Sequence, residues 1–185
     1  NVGTSVVNYA GNYPGALEGE LWYDSTNKDF KYQYPNVTAA GSWRTGNDLN
    51  TARQTGAGSG IQTAALYFAG KTAPTTRVAN TEQYDGTSWT EVNDINTARQ
   101  QLGGSGTQTS SLAYGGFIPP DSAATELWNG TNWTEVNDLN DTRRMGAGLG
   151  ADSTSALAFG GYTTAVVAVT ELYNGTNWTE VNDLN

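Results

Sequence analysis

Three arginines and three glutamates recur in step along this 185-residue chain: Arg53, Arg99 and Arg143, and Glu82, Glu126 and Glu171. A guanidinium matches a carboxylate best where both are shielded from water, so Arg-carboxylate pairs are expected within or between repeated units. The lesser reading is a polar binding ring at a channel mouth. Asp48, Asp94, Asp138 and Asp183 also recur, each flanked by Asn. Carboxylate and amide oxygens suit calcium, but no run has calcium-loop spacing, and an Asp/Asn turn bonding its own backbone is the simpler expectation. His and Cys are absent, which removes Ser-His-Asp and Cys-His nucleophiles and the usual zinc, haem and copper ligand sets. Carboxylate pairs for glycoside hydrolysis would have to come from residues outside the repeat, such as Asp121 or Asp152. The expectation is therefore a non-enzymatic protein with no cofactor and no metal.

The formal charge is −9, and nine Lys and Arg are scattered along the chain, which argues against a nucleic-acid partner. No apolar run reaches transmembrane length, and the N-terminus lacks a basic-then-apolar signal pattern, so no membrane insertion is expected. Six Trp and ten Tyr argue for a folded core rather than disorder. The chain starts at Asn1 without Met and stops inside a repeat, so a fragment of a longer polypeptide is expected.

The elements that must position these residues follow from the period. NGTNWTEVNDLN occupies 129–140 and returns at 174–185, with a third copy, DGTSWTEVNDIN, at 85–96. Aligned on the Asn-Asp-Leu/Ile-Asn block, units begin at Asn47, Asn93, Asn137 and Asn182, a step of 44 to 46 residues. Trp43, Trp89, Trp133 and Trp178 keep that step. Such a period signals one repeated supersecondary unit.

Each unit reads as four short strands. A Gly-rich run comes first (GAGSG at 56–60), then an apolar alternation (TAALYFAG at 63–70), then TEQYD at 81–85 and SWTEVN at 88–93, with counterparts in the next two units. Asp85-Gly86, Asn129-Gly130 and Asn174-Gly175 supply the hairpin between the third and fourth strands. The Gly-rich first strands suit close approach of neighbouring units, and the four Trp suit the space between them. The fold expected is all-β: β-propeller blades, each a four-stranded antiparallel sheet, as units 47–92, 93–136 and 137–181, with a further unit starting at 182–185. Arg53, Arg99 and Arg143 are expected to open the first strands, and the three Glu the third strands.

The first 42 residues read separately. Leu21 and Tyr23 alternate before DSTNKD and Phe30, Tyr32 and Tyr34 after it, which gives a small β-hairpin module; residues 8–15 read as an extended connector.

The order of Arg53, Arg99 and Arg143, then Ala69-Gly70, Gly115-Gly116 and Gly160-Gly161, then Tyr84, Trp128 and Tyr173, then the four Trp, resembles the kelch repeat over residues 43–185. Ala69 departs from the Gly-Gly pattern. The near-identical units, with GELWYDSTNKDFKYQY ahead of them, also look like repeats of marine phage tail-fibre and other virion proteins. That resemblance implies a virion appendage outside the cell, often trimeric, which assembles with other fibre chains as a homo-oligomer and engages a host-surface glycan or protein.

Strand alternation puts the second-to-third connections and the Asn-Asp-Leu-Asn connections on one face, here called the top. The loops at 71–80, 117–124 and 162–169 differ between units, as recognition loops on a rigid scaffold do. Their apolar residues Val78, Phe117, Ile118, Tyr162, Val166 and Val167 are the contact candidates, joined by Trp22 and Tyr32 of the N-terminal module. The function expected is host attachment by a tail fibre. The alternatives are a purely structural virion module and a secreted polysaccharide-active enzyme.

Overall fold

In the computed structural model, the residues described are 7–9, 21–32 and 45–185, and the chain divides into two compact units, Asn1–Arg44 and Thr45–Asn185. Trp43, Tyr34 and residues 10–15 of the expected connector lie outside the described residues.

The N-terminal unit holds β1 (Val7–Tyr9), β2 (Leu21–Asp24) and β3 (Asp29–Tyr32) in one sheet, with β1 parallel to β2 and a β2–β3 hairpin. Asn8 and Tyr9 are therefore strand, not connector. The pleat also faces the other way from the expected one. Trp22 and Asp24 are buried, whereas Leu21 is 48% and Phe30 63% exposed. Asp24 explains part of this orientation, because its carboxylate accepts the Thr26 and Asn27 amides at the turn and so belongs on the inner side. Trp22, two residues away on the same face, goes in with it, which removes it from the contact candidates; Tyr32 stays 46% exposed.

The second unit contains three sheets of identical plan. The first is β4 (Ala57–Ile61), β5 (Ala64–Phe68), β6 (Thr81–Tyr84) and β7 (Trp89–Val92). The second is β8 (Gly103–Gly106), β9 (Ser111–Tyr114), β10 (Thr125–Trp128) and β11 (Trp133–Val136). The third is β12 (Ala147–Asp152), β13 (Ser155–Phe159), β14 (Thr170–Tyr173) and β15 (Trp178–Val181). Each is an antiparallel meander in sequence order. Arg53, Arg99 and Arg143 do not open the first strands but precede them by four residues, because the chain first turns through left-handed Thr55, Gln101 and Met145 (φ 57–60°).

That turn aims one amide at the preceding sheet. Gln101 N donates to Thr55 O and Met145 N to Gln101 O, both at 2.7 Å. The first strands then lie side by side, and their glycines make room. A Cβ on Gly104 would sit 2.8 Å from Phe68 Cζ and 3.0 Å from Ala57 Cβ, both in the preceding sheet. A Cβ on Gly148 would overlap the Tyr114 hydroxyl. Tryptophans fill the remaining gap: Trp133 meets Phe68 edge-on at 4.9 Å, and Trp178 meets Tyr114 at 5.1 Å. Their indole nitrogens donate to Thr81 and Thr125 Oγ1 of the preceding sheet, at 3.1 and 3.2 Å. Trp133 and Trp178 are buried; Trp89, at the leading side of the first sheet, is half-buried.

The hairpins between third and fourth strands close with four residues rather than two, since Tyr84 pairs directly with Trp89. Only the glycine takes the left-handed conformation (Gly86, Gly130 and Gly175, φ +92°). The preceding Asp or Asn instead caps the turn, as Asp85 does by accepting the Thr87 and Ser88 amides at 2.8 and 2.7 Å.

Burial holds the Tyr114 hydroxyl neutral, pushing its pKa up to about 12. It fills the space that Gly148 leaves. Gly148→Ala should therefore cost about 1–3 kcal/mol as an overpacking change, read as a lower denaturant midpoint, and Tyr114→Phe should recover part of that loss. A double variant no more stable than Gly148→Ala alone would rule this contact out as the cause.

Candidate functional site

Each recurring arginine meets the glutamate of its own unit. Arg53 Nη1 contacts Glu82 Oε1, Arg99 Nη2 lies 2.9 Å from Glu126 Oε1, and Arg143 Nη2 lies 2.9 Å from Glu171 Oε1. All six side chains are 3% exposed or less. The arginines also tie the end of the second strand to the approach to the third: Arg99 Nη1 donates to Ala124 O at 2.7 Å and to Gly115 O at 3.3 Å. Burial pulls the Arg99 guanidinium below its ordinary value, opposed chiefly by the charge of Glu126. Burial pushes the Glu82 carboxyl up, but the Arg53 hydrogen bond and the Asn50 and Thr51 amides together hold it below the usual carboxylate range.

The second carboxylate oxygen takes an amide from the connection. Asn50, Asn96 and Asn140 N donate to Glu82, Glu126 and Glu171 Oε2 at 2.7 to 2.8 Å. Two residues earlier, Asp94, Asp138 and Asp183 reach the other way. Their Oδ1 atoms accept Thr81, Thr125 and Thr170 N, at 3.0 to 3.2 Å, in the sheet just completed. The expected turn bonded to its own backbone is thus replaced by a bond between chain segments, because the first amide of each third strand needs an acceptor there. Asn-Asp-Leu/Ile-Asn is a stitch: Asp grips one sheet, the final Asn the next, and Ile95 and Leu139 are buried between them. The same block starts with Asn93 and Asn137, whose Nδ2 atoms donate to the following sheet's turn at Asn132 and Asn177 Oδ1. These Asn roles were unassigned by sequence reasoning, although the repetition of the block was their signal.

The loops on top carry a different constellation. Lys71, Phe117 and Tyr162 hold equivalent positions, bridged to Gln54, Gln100 and Arg144. Across them runs a row of cations and rings. Arg77 lies over the Phe117 ring at 5.0 Å, and Arg144 over Phe117 at 4.6 Å and Tyr162 at 4.9 Å. Asp121 faces Arg144 at 3.3 Å. Arg77 Nε and Gln100 Oε1 are buried with no hydrogen-bond partner among the described residues. Of the sequence candidates, Phe117 and Tyr162 join this row, Val78, Ile118 and Val167 are half-buried in the same loops, and Val166 stands 84% exposed beside them. Arg77 and Arg144 were missed. Arg144 had a signal, since it follows Arg143 where the other units have Gln54 and Gln100.

At the opposite end, the turns between first and second strands border a cleft of about 550 Å³ lined by Gly60, Ile61, Gly106, Thr107 and Gly150. It offers no charged group among these residues. Asp152, the other carboxylate outside the repeat, accepts the Thr154 amide and hydroxyl, which with that turn's backbone hold it below the usual carboxylate range.

The described residues thus define an all-β protein built from repeated four-stranded antiparallel sheets, joined by a recurring stitch and carrying loops that differ from unit to unit. The chain is similar to the solved structure of YjhT, at 17% identity and a TM-score of 0.59, over 88% of this chain and 51% of that one. That likeness concerns the fold, and the chain spans about half the length of the YjhT chain it matches. No protein-family model and no curated protein matches it.

The ion pairs yield a thermodynamic prediction. Removing one partner of a buried pair strands a charge and costs about 3–5 kcal/mol, so Arg99→Met and Glu126→Leu should each be severe. The double variant should lose less than the sum, with a coupling of about 0.5–3 kcal/mol in denaturant titrations. Zero coupling would refute the pair as an energetic unit.

Proposed function

We propose that the repeated sheets are kelch-like β-propeller blades of a phage tail fibre or related virion appendage, and that the protein is a non-enzymatic attachment module. Its top loops meet a host-surface glycan or protein. The observation that carries this reading is the division of labour between repeated and non-repeated residues. The Arg, Glu and Asp that recur are consumed by the scaffold, whereas the residues that break the repeat, Arg77, Phe117, Arg144, Tyr162 and Val166, gather on one face. Guanidinium groups stacked on aromatic rings offer flat apolar area with donors at the edge, which suits sugar rings bearing hydroxyl or carboxylate groups. Several copies in a fibre would turn weak single contacts into firm attachment.

Asp121 and Asp152, on which a polysaccharide-active reading would rest, each have a partner of their own, Arg144 and Thr154.

The test is decoration of cells. Fluorescently labelled chain should bind a subset of a panel of marine bacterial isolates, and Phe117→Ala with Arg144→Ala should abolish binding while leaving the circular dichroism spectrum unchanged. Binding to no isolate, or binding indifferent to the loop substitutions, would sink the attachment reading. Depolymerisation of a capsular polysaccharide lost on Asp121→Asn would replace it with the enzyme.

A further inference from the structure

The three-sheet unit carries six Lys and Arg against fourteen Asp and Glu, so any positive surface on it is local. Three of the six, Arg53, Arg99 and Arg143, are consumed by the buried glutamates. The other three, Lys71, Arg77 and Arg144, all stand in the top loops or at the bridges that hold them. We propose that this row binds an acidic polysaccharide, with the three cations on its carboxylate or sulfate groups and Phe117 and Tyr162 against its sugar rings. The proposal rests on the attachment reading for its site and adds the class of ligand.

The scaffold leaves these cations uncommitted. Among the described residues, Arg77 and Lys71 make no ion pair and no side-chain hydrogen bond. Arg144 has Asp121 at 3.3 Å, but the two side chains are 25% and 14% exposed, and Asp121 Oδ1 has no hydrogen-bond partner among the described residues. A pair so open to water contributes little, and a ligand anion can take the place of Asp121 at small cost. What holds the two guanidinium groups is the ring of Phe117, over which their carbons lie at 5.0 and 4.6 Å, so they are no farther apart than the sum of those distances. Stacking occupies the flat face of a guanidinium and leaves the N–H donors at its edge, where a carboxylate or sulfate is taken up bidentately. Two forks are thereby held within the span of one short ligand, which reduces the ordering cost of binding. Lys71 is bridged to Arg77 and sets a third charge beside the first.

The row crosses the two junctions inside the unit. Arg77 reaches from the first unit's loop onto Phe117 of the second, and Arg144 of the third unit reaches the same ring and Tyr162. Its extent decides between classes of anionic partner. A polynucleotide carries phosphate along its whole length and needs a basic track to match, whereas beyond these three cations the unit is acidic and repels it. A protein partner buries about 800 Å² a side around a water-free centre, and four stacked, half-exposed side chains do not supply that area. An acidic sugar stretch or branch needs only what is present: a few cations, ring faces for its C–H groups, and the exposed amide of Gln54 beside Lys71 for its hydroxyls.

The test is binding of the full 185-residue chain to immobilised polygalacturonate, alginate, carrageenan and dextran, followed by interferometry. At least one acidic polymer should be bound and neutral dextran should not; the first two against carrageenan distinguish carboxylate from sulfate. Arg77→Gln with Arg144→Gln should weaken binding roughly tenfold or more, as should raising salt from about 0.05 to about 0.5 M. Asp121→Asn, which frees Arg144 and removes a repelling charge, should instead tighten it about two- to threefold. Unchanged circular dichroism would show each variant folded, and a purely structural role for Asp121 would not give tighter binding. Binding to none of the acidic polymers, equal binding to dextran, or indifference to both the arginine variant and salt would overturn the proposal. Tighter binding to a single-stranded polynucleotide would replace the sugar. Cell decoration that acidic polymers and salt leave untouched would overturn the acidic ligand while attachment stands, and binding to an acidic polymer with no isolate decorated would do the reverse.

Discussion

Everything in the repeated unit is arranged around one buried carboxylate. Glu82, Glu126 and Glu171 sit almost out of contact with water, where an unpaired charge would be prohibitive. Each is therefore surrounded: an arginine on one oxygen, the last amide of the stitch on the other. The arginine directs further donors to carbonyls at the end of the second strand and before the third. One ionised group thus fixes the entry to the sheet, its middle turn and its connection from the sheet before. The aspartate two residues upstream of that asparagine fastens the connection to the earlier sheet. Removing the carboxylate would release three chain segments at once, which is why it recurs without change.

Packing between the sheets follows from this anchoring. Once the connection is held at both ends, the first strands are drawn together, and side chains larger than hydrogen do not fit at Gly104 and Gly148. The tryptophans close the outer gap and hydrogen-bond across it. The scaffold accordingly consumes its polar groups internally, and the chemistry available to a ligand is confined to residues that the repeat does not specify. The row formed by Arg77, Phe117, Arg144 and Tyr162 is such a set on the top loops.

Repetition made the scaffold legible. A period with four strand-sized segments, a glycine-rich first member and one Trp per unit was enough to anticipate three four-stranded meanders, and the buried Arg and Glu sets could be paired because they kept step. What the sequence concealed was direction. The carboxylate of Asp94 points back to Thr81 rather than to its own turn, a choice made by which amide lacks an acceptor, and that depends on the neighbouring sheet. The inward face of Trp22 was misjudged for a related reason: a buried turn-capping Asp24 outweighed the simple alternation of apolar residues. Arg77 and Arg144 were legible only as departures from the repeat, and their stacking on Phe117 depends on how far apart the sheets place the loops.

The central claim is that the glutamate-centred stitch joins the three sheets into one cooperative body. Native-state hydrogen exchange tests it most directly at the amides of Asn96 and Asn140, which lie in connections outside any strand and donate to Glu126 and Glu171. Exchange of these two amides at the rate of the strand amides of β9 and β10, through global unfolding alone, is the expected result. Exchange orders of magnitude faster, with each sheet opening by itself, would contradict it.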